Sequence, residues 1–134
     1  MFKKLLFISI LFVSSLFADF TTLSTTQVQE AIKKGVVIID VRTPAEFKQF
    51  GIIKGAHKLT FFDERGNYDI NQWMSEFTKI VKDKNQPFIL YCAHANRSKV
   101  VGKFLSEQAG YKNVSELEGG INYGWIDKGL KTVR

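Results

Sequence analysis

The sequence predicts an α/β domain built on a mostly parallel central sheet, with helices on both faces. Val36-Val37-Ile38-Ile39 and Phe88-Ile89-Leu90-Tyr91 are continuous apolar runs without a polar face, the pattern of strands buried on both sides. Segments with apolar residues at helical spacing lie between and beyond these runs. Strands alternating with helices close into a parallel sheet. A chain of 134 residues, 45% of them hydrophobic, is long and apolar enough for one domain with a core of its own.

The chain opens with Met1-Phe2-Lys3-Lys4, an apolar stretch from Leu5 to Phe17 broken only by serines, and Ala18 before Asp19. A basic start, a short apolar run and a small boundary residue read as a secretory signal peptide over residues 1–18. Residues 19–134 are then the folded domain, and the expected location is periplasmic or secreted. The apolar run is short for a bilayer core of roughly 30 Å, so no stable membrane anchor is expected.

Ser24-Thr25-Thr26-Gln27 has the form of a capping box and opens a helix that ends near Gly35. The Val36–Ile39 strand follows. Thr43-Pro44-Ala45-Glu46 is a second capping box, with proline at the first helical position. Leu59 to Phe62 reads as a short strand and Asp63-Glu64-Arg65-Gly66-Asn67 as a polar turn. From Ile70 a helix places Trp73, Phe77, Ile80 and Val81 on one face, capped by Asp69 or Asn71 and stopped by Pro87. After the Phe88–Tyr91 strand comes a polar loop, then a helix with Val100, Val101, Phe104 and Leu105 that Gly110 terminates. Val114 and Leu117 mark a last strand, and Gly119-Gly120 leads into a short C-terminal helix holding Trp125. Both tryptophans are expected in the core.

Composition removes several classes of function. The single Cys92 excludes a disulfide framework, and with His57 and His94 as the only histidines no Cys-rich zinc site is available. No metal or cofactor is expected. Two of the 19 basic residues, Lys3 and Lys4, fall in the leader, so the formal charge of +6 drops to +4 from Asp19 onward. The remaining lysines are scattered without interleaved aromatics, which argues against nucleic acid as a partner.

In parallel sheets, ligands collect at the carboxyl ends of the strands, here the loops after Ile39 and after Tyr91. The second loop, Cys92-Ala93-His94-Ala95-Asn96-Arg97-Ser98, joins a buried strand to a helix N-terminus. Its amides are free to converge on the sulfur, and such a position favours thiolate over thiol. Arg97 adds a fixed positive charge. Cys92 is therefore the candidate nucleophile, activated without a neighbouring general base; the plain alternative for a lone cysteine is an inert buried residue. His94 either lines the mouth passively or steers an anionic substrate.

Three stretches together resemble the rhodanese-like sulfurtransferases. The first is Ile38-Ile39-Asp40-Val41-Arg42-Thr43-Pro44-Ala45-Glu46-Phe47 with Gly51-Ile52-Ile53-Lys54-Gly55-Ala56; the second is the Cys92 loop. The third is Asn113-Val114-Ser115-Glu116-Leu117-Glu118-Gly119-Gly120-Ile121, with Trp125 beyond it. The resemblance implies a single rhodanese-like domain in which Cys92 takes sulfane sulfur from an anionic donor, thiosulfate or polysulfide, as a persulfide. It then passes the sulfur to cyanide, a thiol or a partner protein. It also implies that Ala93, His94, Ala95, Asn96, Arg97 and Ser98 bind donor and persulfide, with the loop amides as donors and Arg97 for the charge. Asp40 and Arg42 match the family's first motif and are expected to support the loop by ion pairing.

The six residues from Cys92 to Arg97 fit a sulfur atom, whereas related phosphatases and arsenate reductases have a loop one residue longer. The chain also departs from the family pattern. Ala95 stands where many members have glycine, Ala93 where an arginine is frequent, and Ile52 where a histidine is common. An α-L residue with a Cβ at position 95 is expected to be strained. A polysulfide-binding sulfur carrier and a non-catalytic interaction module are the alternatives to the enzyme.

Overall fold

The computed structural model describes residues 19–134, so the expected signal peptide, residues 1–18, lies outside the described residues. Five strands form one sheet: β1 (Asp19–Leu23), β2 (Val37–Asp40), β3 (His57–Lys58), β4 (Phe88–Tyr91) and β5 (Asn113–Leu117). Their order is β1-β5-β4-β2-β3, and every paired neighbour runs parallel. The helices are α1 (Thr25–Lys33), α2 (Pro44–Phe50), α3 (Ile70–Ile80), α4 (Asn96–Lys103) and α5 (Gly120–Gly124). Among the described residues, no helix is long and apolar enough to cross a membrane.

Side chains alternate across a strand, and this sorts the two apolar runs into two cores. Ile39, Phe88, Leu90 and Val114 face one side with Trp73 and Phe77 of α3 and Val101 of α4. Ile38, Ile89, Tyr91 and Leu117 face the other with Val28 of α1, Ile121 of α5 and Trp125. The helices on both faces follow from strands with no polar side to leave in water.

Local chemistry fixes the helix starts. Ser24 and Thr43 each close a reciprocal capping box, with Gln27 and Glu46 as partners and Pro44 in the first turn. Asp69, rather than Asn71, caps α3 by accepting from the Gln72 amide. Asp63 builds the polar turn, its carboxylate accepting from the amides of Arg65 and Asn67. Trp73 and Trp125 are buried, and their indole N–H groups donate to the carbonyls of Leu59 and Lys131.

Four expectations change. The short strand after Gly55 is His57–Lys58, not Leu59–Phe62. β2 ends at Asp40, so only isolated amides of Leu59 and Phe61 still reach the carbonyls of Asp40 and Val41, and Phe61 turns into the core instead. The helix after the Cys92 loop ends at Lys103 and passes into a π-helical turn, Phe104–Gln108; Val101 and Leu105 are buried, but Val100 faces solvent. Trp125 lies just beyond α5, before a 3₁₀ turn at Ile126–Lys128. β1 is a strand the sequence pattern does not announce, because Asp19-Phe20-Thr21-Thr22-Leu23 has neither an apolar run nor strict alternation. β5 recruits it along its whole length.

Gly102 allows this edge to close. A Cβ there would stand 2.2 Å from the Phe20 ring, so α4 approaches β1 only without a side chain at that position. Gly102→Ala is expected to destabilise the fold by about 1–3 kcal/mol through overpacking, read as a lower midpoint in urea denaturation. An unchanged midpoint would show that β1 is not held against α4.

Candidate active site

The carboxyl ends of β2, β4 and β5 meet at one edge of the sheet. β4 is the central strand, and the residue after it is Cys92, which is 1% exposed. One amide, that of Ser98 in the first turn of α4, donates to Sγ at 3.3 Å. The thiol in turn faces the Ser98 hydroxyl at 3.6 Å.

The loop between them is tied down from α5. The Ile121 amide donates to the Cys92 carbonyl at 2.9 Å, and the Asn122 amide to the Ala93 carbonyl at 3.1 Å. This approach is open only to glycine at position 120, where φ is +66° and a Cβ would lie 2.3 Å from the Ala93 oxygen. On the outer rim, His94 and Asn122 are within hydrogen-bonding distance, 3.1 Å, and the His94 ring rests against Tyr123 with centroids 4.7 Å apart.

Ala95 is left-handed, at φ 71° and ψ 0°, and is the only non-glycine residue with positive φ among the described residues. It occupies the cap position of α4 and lacks a side chain able to cap. The expected strain is therefore present in the loop, worth about 1–2 kcal/mol for a residue with a Cβ. Asn96 starts the helix on the exposed side.

Arg97 does not point a free charge at the sulfur. Its Nη1 and Nη2 donate to the two carboxylate oxygens of Glu46 at 2.7 and 2.8 Å. Glu46 Oε1 also accepts from the Thr43 amide and hydroxyl. The Arg97 guanidinium, helped by the Thr43 amide and working against partial burial, pulls the Glu46 carboxyl down to about 2 from its ordinary 4.5. The same pairing raises Arg97, with Cys92 a lesser contributor. α2 and the Cys92 loop are thereby clamped together by a bidentate pair.

Asp40 and Arg42 lie beneath, both fully buried. Arg42 Nε and Nη2 donate to the carboxylate at 2.7 to 3.1 Å, and Nη2 also reaches the Gly51 carbonyl at 2.7 Å. The guanidinium sits between the rings of Phe47 and Tyr91, 5.7 and 5.8 Å from their centroids. The Tyr91 hydroxyl accepts from the Ile53 amide at 3.0 Å, and its burial raises its pKa strongly.

Glu46, Glu116 and Gly120 are the residues that sequence reasoning did not single out for the site. The doublet Gly119-Gly120 after a strand was a signal for Gly120. Glu46 was legible only as a capping residue. Glu116, in a strand between Ser115 and Leu117, carries no sequence signal at all. It is 0% exposed, and its Oε1 accepts from the Ser98 hydroxyl at 2.8 Å.

The rhodanese-like domain family model matches residues 24–127, and the chain belongs to that family. It is 33% identical over 103 residues to the thiosulfate sulfurtransferase GlpE of Pseudoalteromonas translucida, spanning 76% of this chain and 86% of the relative. The same-named protein of Ectopseudomonas mendocina is 29% identical over 104 residues, 78% of this chain and 84% of its own length. In structure, the chain resembles the polysulfide-sulfur transferase homodimer of Wolinella succinogenes with a TM-score of 0.66 and 25% identity, covering 90% of this chain and 83% of the other.

Two outcomes test this geometry. Ala95→Gly is expected to stabilise the protein by about 0.5–1 kcal/mol, since relief of the left-handed strain exceeds the added freedom of the unfolded chain; the urea midpoint should rise. The Glu46 carboxyl is depressed by folding, so its contribution is present above pH 4.5 and is lost as pH falls from 4.5 toward 2. Glu46→Gln should lower stability at pH 7 by about 1 kcal/mol, the pair being partly solvated. The difference from wild type should shrink across that acid window, and a difference that persists there would refute the pairing.

Proposed function

We propose that this chain is a sulfurtransferase that carries sulfane sulfur as a persulfide on Cys92. The observation that carries this reading is the position of the chain's single cysteine. It lies at the end of the central strand, its sulfur receives the Ser98 amide at 3.3 Å, and its loop is held in shape by α5 and by the Arg97–Glu46 pair. Membership of the rhodanese-like family and relatives named as sulfurtransferases support the reaction class.

In the first half-reaction, the Cys92 thiolate attacks the outer sulfur of the donor. A bond forms between Sγ and that sulfur, the donor's S–S bond breaks, and its electron pair leaves on sulfite or on the shortened polysulfide. In the second, cyanide or a thiolate takes the outer sulfur, and the Cys92 thiolate is the leaving group. The Ser98 amide favours the thiolate at both ends of this cycle. With no second cysteine, no internal disulfide traps the nucleophile.

Polysulfide is the donor this reading favours over thiosulfate. Ala93 contributes no charge beside the sulfur, and the Arg97 fork is already engaged by Glu46, which leaves a sulfonate poorly matched. The resemblance to the Wolinella succinogenes polysulfide-sulfur transferase points the same way. Delivery to a protein acceptor and export directed by residues 1–18 complete the reading.

Mass spectrometry of the purified protein after polysulfide or thiosulfate treatment tests it. Added sulfur is expected on wild type and none on Cys92→Ser, with more complete loading from polysulfide. Equal loading of the serine variant would overturn the assignment of the nucleophile.

A further inference from the structure

Glu116 is a buried carboxylate that the sulfur-transfer reading leaves without a task. It lies on the same face of β5 as Val114, pointing into the core under α4, where an apolar side chain is the default. Burying a carboxylate there is costly unless each oxygen is matched. Oε2 accepts from the Thr22 hydroxyl at 2.8 Å and pairs with the Lys99 ammonium. Oε1 is left to the Ser98 hydroxyl at 2.8 Å.

Ser98, also 0% exposed, has one hydroxyl proton and two acceptors for it, the Ala95 carbonyl at 3.2 Å and the Glu116 carboxylate at 2.8 Å. The charged and nearer acceptor wins. The Ser98 lone pairs then face the Cys92 thiol at 3.6 Å. The donors run in one direction: thiol to hydroxyl, hydroxyl to carboxylate. A thiol that is 1% exposed has no direct contact with bulk water to take its proton, whereas Lys99, at the far end of the chain of bonds, is half exposed.

We propose that Ser98 and Glu116 form the proton path of Cys92. Ser98 is the catalytic residue: its oxygen takes the proton from Sγ to give the attacking thiolate, and its own proton passes to Glu116. Glu116 acts through Ser98 as a positioning residue. It fixes the hydroxyl in the accepting orientation and holds the proton until it leaves beside Lys99. In sulfur uptake, the Sγ–S bond forms, the donor's S–S bond breaks with its electron pair on the departing fragment, and the thiol proton ends on Glu116. When the acceptor removes the outer sulfur, a proton is taken up again beside Lys99 and returns to Sγ along the same two bonds. The charged groups around this path are Lys99 and Arg97 on α4, Glu46 on α2 behind Arg97, and Asp40 at the end of β2.

The inference rests on Cys92 as nucleophile, and iodoacetamide tests it independently of sulfur transfer, since Cys92 is the only cysteine. Alkylation forms an Sγ–C bond, expels iodide and sends the proton along the same path. Rates measured against pH give each protein a midpoint, and that of wild type should be lower than that of either variant. Glu116→Gln and Ser98→Ala should each be roughly 100-fold slower at about pH 6.5, the low end for general-base assistance, and recover near pH 9 with the midpoint moved upward. An unchanged midpoint overturns the path. So does a downward one, which is what loss of a neighbouring negative charge does by itself. If Glu116→Gln fails to fold by circular dichroism, Ser98→Ala decides, because it leaves Glu116 with Thr22 and Lys99. Should alkylation behave as stated while no donor loads sulfur, the proton path stands and the sulfur-transfer reading falls.

Discussion

An arginine with no solvent exposure must have its charge met, and at the carboxyl end of the sheet this requirement organises the surroundings of Arg42. Its charge is met by Asp40 two residues earlier, Nη2 also reaches the carbonyl of Gly51, and its faces are covered by Phe47 and Tyr91. Replacing such a buried pair by apolar residues is often neutral for stability, so its contribution here is better measured in geometry. It joins the end of β2, the start of α2, the Gly51–Ile53 segment and the last residue of β4. Gly51 in turn backs onto the C-terminal residues, where Ile52 and Val133 exchange two backbone hydrogen bonds. The residue that follows this fixed point on β4 is the cysteine.

The Cys92 loop is strained and braced. Ala95 holds a left-handed backbone with a Cβ, and strain of this kind persists only where neighbours over-determine the conformation. They do so from three directions: α5 donates to the carbonyls of Cys92 and Ala93, Glu46 grips Arg97, and Glu116 holds Ser98. The braces come from α2 and from the β5–α5 unit, both distant in sequence from α4, so the loop can take its shape only after the sheet has assembled. The sulfur receives a single amide at rest, and the loop amides remain for whatever binds there.

The charged side chains beside the Cys92 loop and at the end of β2 are engaged within the fold. Arg97, expected from sequence as a free cation near the sulfur, is shared with Glu46; Lys99 is paired with Glu116, and Arg42 with Asp40. What remains around Cys92 is a modest field shaped by hydrogen bonds. That suits the sulfur exchange proposed for Cys92, since a thiolate held too tightly attacks slowly.

The sequence by itself determined the elements whose cause is local. The two apolar runs became the central strands because nothing polar could be left in water; Ser24 and Thr43 started helices because their capping boxes are complete within four residues; and Cys92 was marked by its place between strand and helix. The left-handed turn at Ala95 was also legible, from the departure it makes from the family pattern. Tertiary structure decided the rest. β1 exists because β5 supplies its hydrogen bonds, not because Asp19–Leu23 has strand character of its own. β3 stops at Lys58 because β2 has ended. The partners of Arg97 and Ser98 are Glu46 and Glu116, which lie 51 residues before and 18 residues after them in the chain. A glutamate in a strand reads as a solvated side chain until the sheet shows which face it occupies. Only the folded chain could turn that residue inward, beneath the one cysteine.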